Sequence, residues 1–392
     1  MTRVLALALT LVLAAAALAA QSGPATTADT AAIDQLGSFD YDVRTAAARA
    51  IRRSPPERIV PALLTAVREH RDEYARYRAL VLLAGFADAV TAIAVGPTTQ
   101  IMRAMLADRN DRLRTVAYQW FEYHPDPAVL PALIAALDKE RSEFLRPALT
   151  RAIVAHGDQP SARETVLPLV LRGDDFFRGA VISALGDYRA RYALKPLTDV
   201  ALLDGPLQDD AITALGRIGD ASVKGTLATL QKTAARDVQP TISAAFCLIG
   251  IDCDARTAYV TETLQFAASN DGHQPLLRGV VHAAAVLAIA GRDEALRVLV
   301  EQGLRSQDPA RAAIALGVGT VAVRQPLRLL RFLETQPDAK PAILLLREAF
   351  DMLSEDFDEE RFYVEIRRAH WDAPADSPRR RTAAAVIEIA EF

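Results

Sequence analysis

The sequence predicts an all-α protein built as a right-handed α-solenoid, a superhelical stack of about ten helix pairs. Prolines just inside apolar stretches recur at intervals of about 28 to 37 residues, and a helix tolerates proline in its first turn. The series is Pro61, Pro97, Pro131, Pro168 and Pro196, continued by Gly225 and Pro326. The composition, 51% hydrophobic but only 6% aromatic, is typical of helices that pack through small side chains. A fixed period with one helix start per unit indicates stacked repeats.

The first 19 residues have the features of a secretory signal peptide. Arg3 supplies the positive charge, residues 4–18 are apolar apart from Thr10, and Ala17-Leu18-Ala19 fits a cleavage site. The apolar stretch is shorter than the roughly 20 residues that span a bilayer. We therefore expect cleavage and a periplasmic or secreted mature chain. Residues 20–30 show no periodicity and are predicted to be a flexible linker.

Residues 31–337 are predicted to form the solenoid. The clearest unit places Ala211, Leu215 and Ile218 on one face of a helix. Gly219 can end that helix in a left-handed cap, and Asp220 can cap the helix that follows. Less regular copies of the same unit occur at residues 40–51, 111–117 and 176–187.

These units share the pattern Asp-x-x-Val-Arg-x-x-Ala-x-x-Ala-Leu-Gly-x-x-Gly-Asp followed by a Val-Pro-x-Leu helix. Residues 40–63 and 209–227 match it best. The chain thus resembles the HEAT-repeat superfamily, specifically its short, phycobilisome-lyase-like repeats. The resemblance implies that first helices line the convex side and second helices a concave groove for a protein or peptide. The groove residues expected on this basis are Gln100, Arg103, Lys195, Asp199 and Lys232.

The predicted function is that of an exported, non-enzymatic scaffold for protein–protein interaction. A net charge of −4 argues against a nucleic-acid or anionic-membrane binder. The sequence contains no Gly-x-Ser-x-Gly, phosphate-loop or dinucleotide motif, so we expect no catalytic residues and no cofactor. The resemblance implies an alternative, a lyase or isomerase acting on bilin-bearing proteins, which the signal peptide opposes because that chemistry is intracellular. A structural component of a cell-envelope assembly is the third interpretation.

Aromatic residues concentrate in the second and third repeats, where they form a candidate interaction patch because exposed aromatics mark binding hot spots. The residues are Tyr74, Tyr77, Tyr118, Trp120, Phe121 and Tyr123. The other interpretation is that these larger side chains fill the core of two repeats.

The two cysteines, Cys247 and Cys253, are a candidate disulfide if the chain is exported; two unpaired thiols are the alternative. The six histidines have no metal-site spacing, and no metal is expected. The Asp and Arg residues of the repeat, such as Asp42 with Arg44 and Asp111 with Arg114, are expected to cap helices and link repeats.

The segment 338–392 differs in composition and is predicted to form repeats or helices that cap the apolar end of the solenoid. An acidic run, residues 351–360, lacks the spacing of a calcium loop and is predicted to be a solvated helix face. Aromatic residues accompany it, among them Phe350, Phe362, Tyr363 and Trp371.

Overall fold

A computed structural model describes residues 25–89, 92–270, 272–353 and 356–390; the predicted signal peptide lies outside these ranges. The described residues contain 22 α-helices and no strand, which confirms the all-α, helical-repeat fold. The helices are α1 (Thr27–Gln35), α2 (Tyr41–Arg53), α3 (Pro56–Glu69), α4 (Glu73–Asp88), α5 (Ala92–Met105), α6 (Asp111–Tyr123), α7 (Leu130–Leu137), α8 (Leu145–Val154), α9 (Pro160–Val166), α10 (Asp175–Asp187), α11 (Leu194–Ala201), α12 (Gln208–Ile218), α13 (Lys224–Thr233), α14 (Gln239–Leu248), α15 (Cys253–Ser269), α16 (Gln274–Ile289), α17 (Asp293–Arg305), α18 (Ala310–Arg324), α19 (Pro326–Glu334), α20 (Lys340–Leu353), α21 (Asp356–Asp372) and α22 (Pro378–Ala390). Short 3-10 turns, such as Leu167–Val170 before α10 and Arg191–Ala193 before α11, join some of them.

Helical structure begins earlier than predicted, because α1 starts at Thr27 within the supposed linker. The linker prediction is therefore wrong for residues 27–30. Thr26 Oγ1 accepts a hydrogen bond from the Asp29 N–H at 3.2 Å, and the Asp29 carboxylate accepts one from the Thr26 N–H at 2.9 Å. This reciprocal capping box fixes the helix start without an apolar stripe, which is why hydrophobic periodicity missed it.

The prolines that suggested the repeat do not all occupy a first turn. Pro131 and Pro326 lie in the first turn of α7 and α19, as predicted. Pro61 and Pro97 lie further inside α3 and α5. Helix α3 begins instead at Pro56, so Pro61 deprives an existing helix of one backbone hydrogen bond rather than starting it.

The chain forms two compact units. Unit 1 runs to Ala117 and holds α1–α5 with most of α6; unit 2 runs from Tyr118 to Glu391 and holds the end of α6 with α7–α22. The predicted boundary after residue 337 does not divide compact units, because α20–α22 belong to unit 2.

Repeat arginines tie the first turn of a helix to the segment that precedes it. Their guanidinium groups donate to backbone carbonyls of that segment: Arg44 to Ser38, Arg76 to Val67, Arg114 to Asp108, Arg178 to Val170 and Arg311 to Gly303. Arg114 also contacts Asp111 at 2.6 Å, while Asp40 caps α2 by accepting from the Asp42 N–H at 2.9 Å. These residues hold successive helices in register.

In unit 2 the first helices of the pairs (α8, α10, α12, α14, α16 and α18) pack against one another through small residues. A Cβ atom added to Gly186 would lie 2.7 Å from Ala214 Cα, and one on Gly216 would lie 2.8 Å from Ala245 Cα. Only glycine permits such close backbone approach. The spacing between successive first helices is therefore small. Because of this small spacing, unit 2 curves with its first helices on the inner side.

Contacts between first helices that are not neighbours show which row is inside. Tyr188, after α10, bonds to Glu122 of α6 at 3.1 Å, and Thr213 of α12 bonds to His282 of α16 at 3.2 Å. Such contacts form only across a concave side. The expectation that first helices are convex is thus wrong for unit 2, because their small residues shorten the inner circumference.

The curvature of unit 2 brings its last helices back to its first. Tyr123, at the end of α6, donates a hydrogen bond to Asp358 of α21 at 2.8 Å. The Arg361 guanidinium carbon lies 3.3 Å from the centre of the Tyr123 ring, and Phe357 stacks on that ring at 6.1 Å. The inner row is consequently closed rather than open-ended.

The C-terminal segment forms α20–α22. Phe350, Phe362 and Tyr363 are core, and their ring centres lie 5.1–5.9 Å apart in edge-to-face contacts. Trp371, by contrast, is 69% exposed. Glu359 and Glu360 are only 5% and 3% exposed, so the acidic run is not wholly a solvated face as predicted. Glu360 is buried because it pairs with Arg367 at 2.7 Å.

No single described helix combines the length and apolar character needed to cross a membrane. Only α18 and α19 taken together meet that test, and they are bent by 113° at their junction.

Candidate functional site

The predicted aromatic patch is largely core. Tyr118, Trp120 and Phe121 are at most 1% exposed, so the prediction of a surface patch is wrong for these three. They lie on different sides of α6, which turns once in about 3.6 residues, and their volume fills the start of unit 2. Core filling, the other interpretation, describes them.

The remaining predicted aromatics are half-buried and already engaged. In unit 1, the Tyr74 ring lies 5.9 Å from the Tyr77 ring and 5.0 and 5.2 Å from the guanidinium carbons of Arg78 and Arg112. In unit 2, Tyr123 makes the closing contacts with α21. Neither set presents a free aromatic face.

The predicted groove residues are exposed but not on a concave side of unit 2. Lys195 and Asp199 lie on α11 and pair with each other at 2.9 Å, and Lys232 lies on α13. Both are second helices, which form the outer row. In unit 1, Gln100 and Arg103 lie exposed on α5. Among its described residues, unit 2 therefore has no groove lined by second helices, because its curvature places the first helices on the inner side.

The inner side of unit 2 instead carries a central cluster, defined here as Glu122, Arg151, Asp187, Arg217 and Arg324. Arg151 contacts Glu122 at 2.7 Å and Asp187 at 3.0 Å. Arg217 and Arg324 reach the same Asp187 carboxylate at 2.6 and 3.3 Å. One carboxylate thus joins three guanidinium groups from three different first helices.

Protonation within the central cluster follows its geometry. Burial alone would raise the pKa of Asp187, but Arg217, Arg324 and Arg151 outweigh it and hold that pKa below the usual value. Burial, aided by Arg324 and Arg151, lowers the pKa of Arg217 despite its Asp187 partner. Asp187 is therefore ionised near neutral pH, and the surroundings of Arg217 are short of negative charge.

His282 lies on the inner side next to this cluster. Its ring is exposed within the concavity yet enclosed by protein on its other sides. Burial and the positive charge of Arg217 lower the pKa of His282 to about 4, against an opposing effect of Asp187. At pH 7 the ring is neutral and shares a hydrogen bond with Thr213 at 3.2 Å. The inner side of unit 2 is thus occupied by interactions among its own residues.

A second surface feature of unit 2 is apolar. We call it the edge row, formed by Phe144, Leu171, Phe176, Leu202 and Leu203, which are between 51% and 74% exposed. Phe144, Leu171, Leu202 and Leu203 lie in three successive connections from a second helix to the next first helix, and Phe176 lies in the first turn of α10, directly after the second of these connections. In a stack of repeats such connections share one edge and are spaced by about 10 Å, the distance between packed helices.

The exposure in the edge row depends on helix phase rather than on residue type. Phe176 is 61% exposed, whereas its neighbour Phe177 is 2% exposed. Phe177 packs inward with the Arg146 guanidinium carbon 4.1 Å from the centre of its ring. The adjacent pair Phe176-Phe177 is visible in the sequence. Which of the two rings faces solvent depends on how α10 is rotated about its axis, and the sequence alone does not give that rotation.

Cys247 and Cys253 lie at the turn between α14 and α15, joined by a sulfur–sulfur bond, with their Cα atoms 4.1 Å apart. Gly250, with φ of +83°, turns the chain between them. This Cα separation places the two cysteines within bonding reach, and the disulfide stays a prediction. Among the described residues, no three His, Cys, Asp or Glu side chains form a group that could hold a metal ion.

The chain is similar to a solved complex, that of CpcE and CpcF of phycocyanin lyase from Nostoc sp. PCC7120. The match has 18% identity and a TM-score of 0.39, and covers 65% of this chain and 94% of that chain. No protein-family model and no curated protein matches the sequence. At this level of identity and TM-score the likeness supports no statement about activity.

Proposed function

We propose that the protein is an exported helical-repeat scaffold that binds a partner protein through the edge row of unit 2. The observation that carries this proposal is the exposure of five large apolar side chains along one edge. Exposed apolar residues scattered singly are ordinary, whereas a contiguous row of them indicates an interaction surface.

The chemistry of the edge row suits a protein partner. Phe144 and Phe176 are 74% and 61% exposed, and a buried aromatic anchor contributes much of the binding energy in protein interfaces. At about 25 cal/mol for each Å² of apolar surface removed from water, covering these rings is strongly favourable. Charges of both signs, including Arg141 and Asp174, are available as a polar rim.

Other surfaces of unit 2 support a binding role less well. The inner side is filled by the central cluster, whose carboxylates and guanidinium groups already pair with one another. On the outer row, Lys195 and Asp199 form a surface pair, a type of contact worth about 0–1 kcal/mol. The edge row is an apolar surface that its own unit leaves uncovered.

Two observations support export. The first 19 residues combine a positive charge, an apolar stretch and a small-residue cleavage pattern. Cys247 and Cys253 lie within bonding reach, and disulfides persist in oxidising compartments outside the cytosol. Cell fractionation with sequencing of the mature N-terminus tests this part; a chain retaining residues 1–19 in the cytosol would refute it.

Site-specific photo-crosslinking in the native host tests the binding surface. A benzophenone amino acid replaces Phe144 or Phe176, and as a matched control it replaces Phe266, which is 49% exposed on α15 away from the edge row. We expect both edge positions to crosslink to the same protein and position 266 not to. Crosslinking of equal yield and pattern at all three positions would contradict the proposal.

A further inference from the structure

A cavity of about 400 Å³ opens in unit 2 where α8 and α10 end and their second helices begin. Its side chains are mainly cationic and aromatic. We call it the basic pocket, defined by Asp158, Arg163, Tyr188, Arg189, Arg191 and Tyr192. Three guanidinium groups thus face a single lining carboxylate.

The three arginines are incompletely neutralised. Arg191 pairs at 2.5 Å with Asp220, which lies outside the lining. Arg163 donates only to backbone carbonyls, those of Gly157 at 2.5 Å and Asp158 at 3.3 Å. The exposed Arg189 side chain makes no ion pair or hydrogen bond within the described part of the chain. Two positive charges therefore lack a carboxylate partner there.

Arg189 has a backbone conformation that other repeats assign to glycine. Its φ is +49°, in the left-handed region, at the cap that ends α10. The corresponding caps of α12, α14 and α16 use Gly219, Gly250 and Gly291, with φ of +75°, +83° and +107°. The residue after Arg189 donates to the Leu185 carbonyl at 2.9 Å, as the residues after Gly250 and Gly291 do to theirs. The caps of α10, α14 and α16 are alike, so the arginine is not needed for the turn.

A side chain in this conformation is strained, because its Cβ crowds the following carbonyl. The repeats therefore act as an internal comparison: three use the unstrained residue, and the one that borders the cavity uses a cation. Strained backbone that persists in a structure is a feature of binding sites. In this repeat, a strained backbone conformation, which lowers the stability of the fold, places a positive charge at the rim of the cavity.

We propose that the basic pocket binds a small oxyanion, a phosphate, sulfate or carboxylate group, through Arg189 and Arg163. A guanidinium group offers planar, charge-assisted hydrogen bonds that match oxyanion geometry. The cavity exceeds the size of a bare oxyanion, so an organic remainder can lie against the aromatic walls. The Arg163 guanidinium carbon lies 5.3 Å from the centre of the Tyr192 ring. Tyr188 is held by the hydrogen bond that its hydroxyl donates to Glu122 at 3.1 Å.

The test measures binding of inorganic phosphate, sulfate and acetate to the mature chain by calorimetry at low ionic strength. We expect saturable binding of at least one of these anions by the unaltered protein. In Arg189→Gly the affinity should fall about 10- to 100-fold, the effect of losing charge-assisted hydrogen bonds. The melting temperature of the same variant should stay equal or rise, because glycine relieves the backbone strain. Arg189→Lys should retain part of the affinity.

Arg172→Gly is the matched control, since it removes an exposed arginine of unit 2 outside the basic pocket. It should leave anion affinity within about twofold, because distant surface charges are screened. If phosphate and sulfate bind more tightly than acetate, the ligand of the basic pocket carries a doubly charged group. If acetate binds more tightly, the ligand carries a carboxylate. The proposal is overturned if none of the three anions binds saturably, or if Arg189→Gly and Arg172→Gly weaken binding equally. Neither result bears on the edge row, which crosslinking tests separately.

Discussion

Asp187 is the residue on which the central cluster depends, because its carboxylate meets Arg151, Arg217 and Arg324 at 2.6 to 3.3 Å. Removing one member of a buried ion pair leaves its partners charged and unpaired, which costs much more than the pair contributes. Here three guanidinium groups would lose one shared counter-ion. The inner side of unit 2 would then carry uncompensated positive charge.

We expect Asp187→Asn to lower the free energy of unfolding by about 3 kcal/mol at pH 7, measured by urea denaturation. The folded-state pKa of Asp187 is depressed; its contribution is therefore present above the unfolded value of 3.8 and lost as the pH falls through the lower folded value. Asp175→Asn, which alters a surface pair with Arg178 at 3.1 Å, is the control and should cost less than about 1 kcal/mol. Equal effects of the two variants would contradict a central role.

Asp210, in the first turn of α12, behaves oppositely. Burial and the neighbouring Asp209 raise the pKa of Asp210 to about 6, although Arg217 acts to lower it. Its ionisation thus opposes folding, and stability should decline as the pH rises from about 4 through about 6. We expect Asp210→Asn to stabilise the protein by about 1–3 kcal/mol at pH 8 and little at pH 4, measured from melting curves. A stabilisation independent of pH would rule out this account.

At the scale of elements, the packing of first helices determines the curvature of unit 2. Gly216 of α12 faces Ala245 of α14, and an added Cβ would lie 2.8 Å from its Cα and 3.0 Å from its Cβ. The neighbour is backbone, which cannot move aside as a flexible side chain can. The two helices must therefore separate if a methyl group is placed between them.

We expect Gly216→Ala to destabilise unit 2 by about 1–3 kcal/mol through overpacking, despite the roughly 1 kcal/mol that alanine gains over glycine in a helix. Gly225→Ala is the matched control, because nothing lies within 4 Å of its added Cβ on α13; it should be neutral or stabilising. Thermal denaturation of the two variants gives the comparison, and a stabilised Gly216→Ala would show that first helices are not in close contact.

The sequence predicted these elements better than their arrangement. Helix type and repeat length follow from local spacing and capping, as in α12 with its glycine cap. Which row lies inside depends on contacts between repeats, and Gly186 and Gly216 show their role only when the facing alanines are known. The central cluster had one local signal: Asp187 and Arg217 occupy the same position after Ala-Leu-Gly in successive repeats. The pattern gave no means to tell that these charges meet.

At the scale of the molecule, the closing contact of unit 2 joins residues far apart in sequence. Tyr123 and Asp358 are separated by 235 positions. Burial and the Asp358 carboxylate raise the pKa of Tyr123, so its hydroxyl remains a donor at physiological pH. Neither residue belongs to a repeat motif, and periodicity alone therefore could not predict that the inner row closes.

We expect Tyr123→Phe to cost about 1 kcal/mol, the value of a typical hydrogen bond, and to loosen the first turn of α21. Hydrogen–deuterium exchange should rise in residues 356–361 and not in α16, which lies elsewhere in the stack. Tyr259→Phe is the control, since this tyrosine is 41% exposed on α15 and should leave exchange unchanged. Unaltered exchange in α21 after Tyr123→Phe would show that closure does not rest on this contact.

Closure also limits how the length of this repeat protein can change. An open stack accepts an added or deleted helix pair, because each repeat contacts only its neighbours. In unit 2 an inserted pair would displace α21 from Tyr123 by about 10 Å, the spacing of packed helices. The number of repeats is therefore set by geometry, as in a ring. Solenoids ordinarily lengthen by duplication of a single repeat, but such a duplication would break the closing contact of this unit.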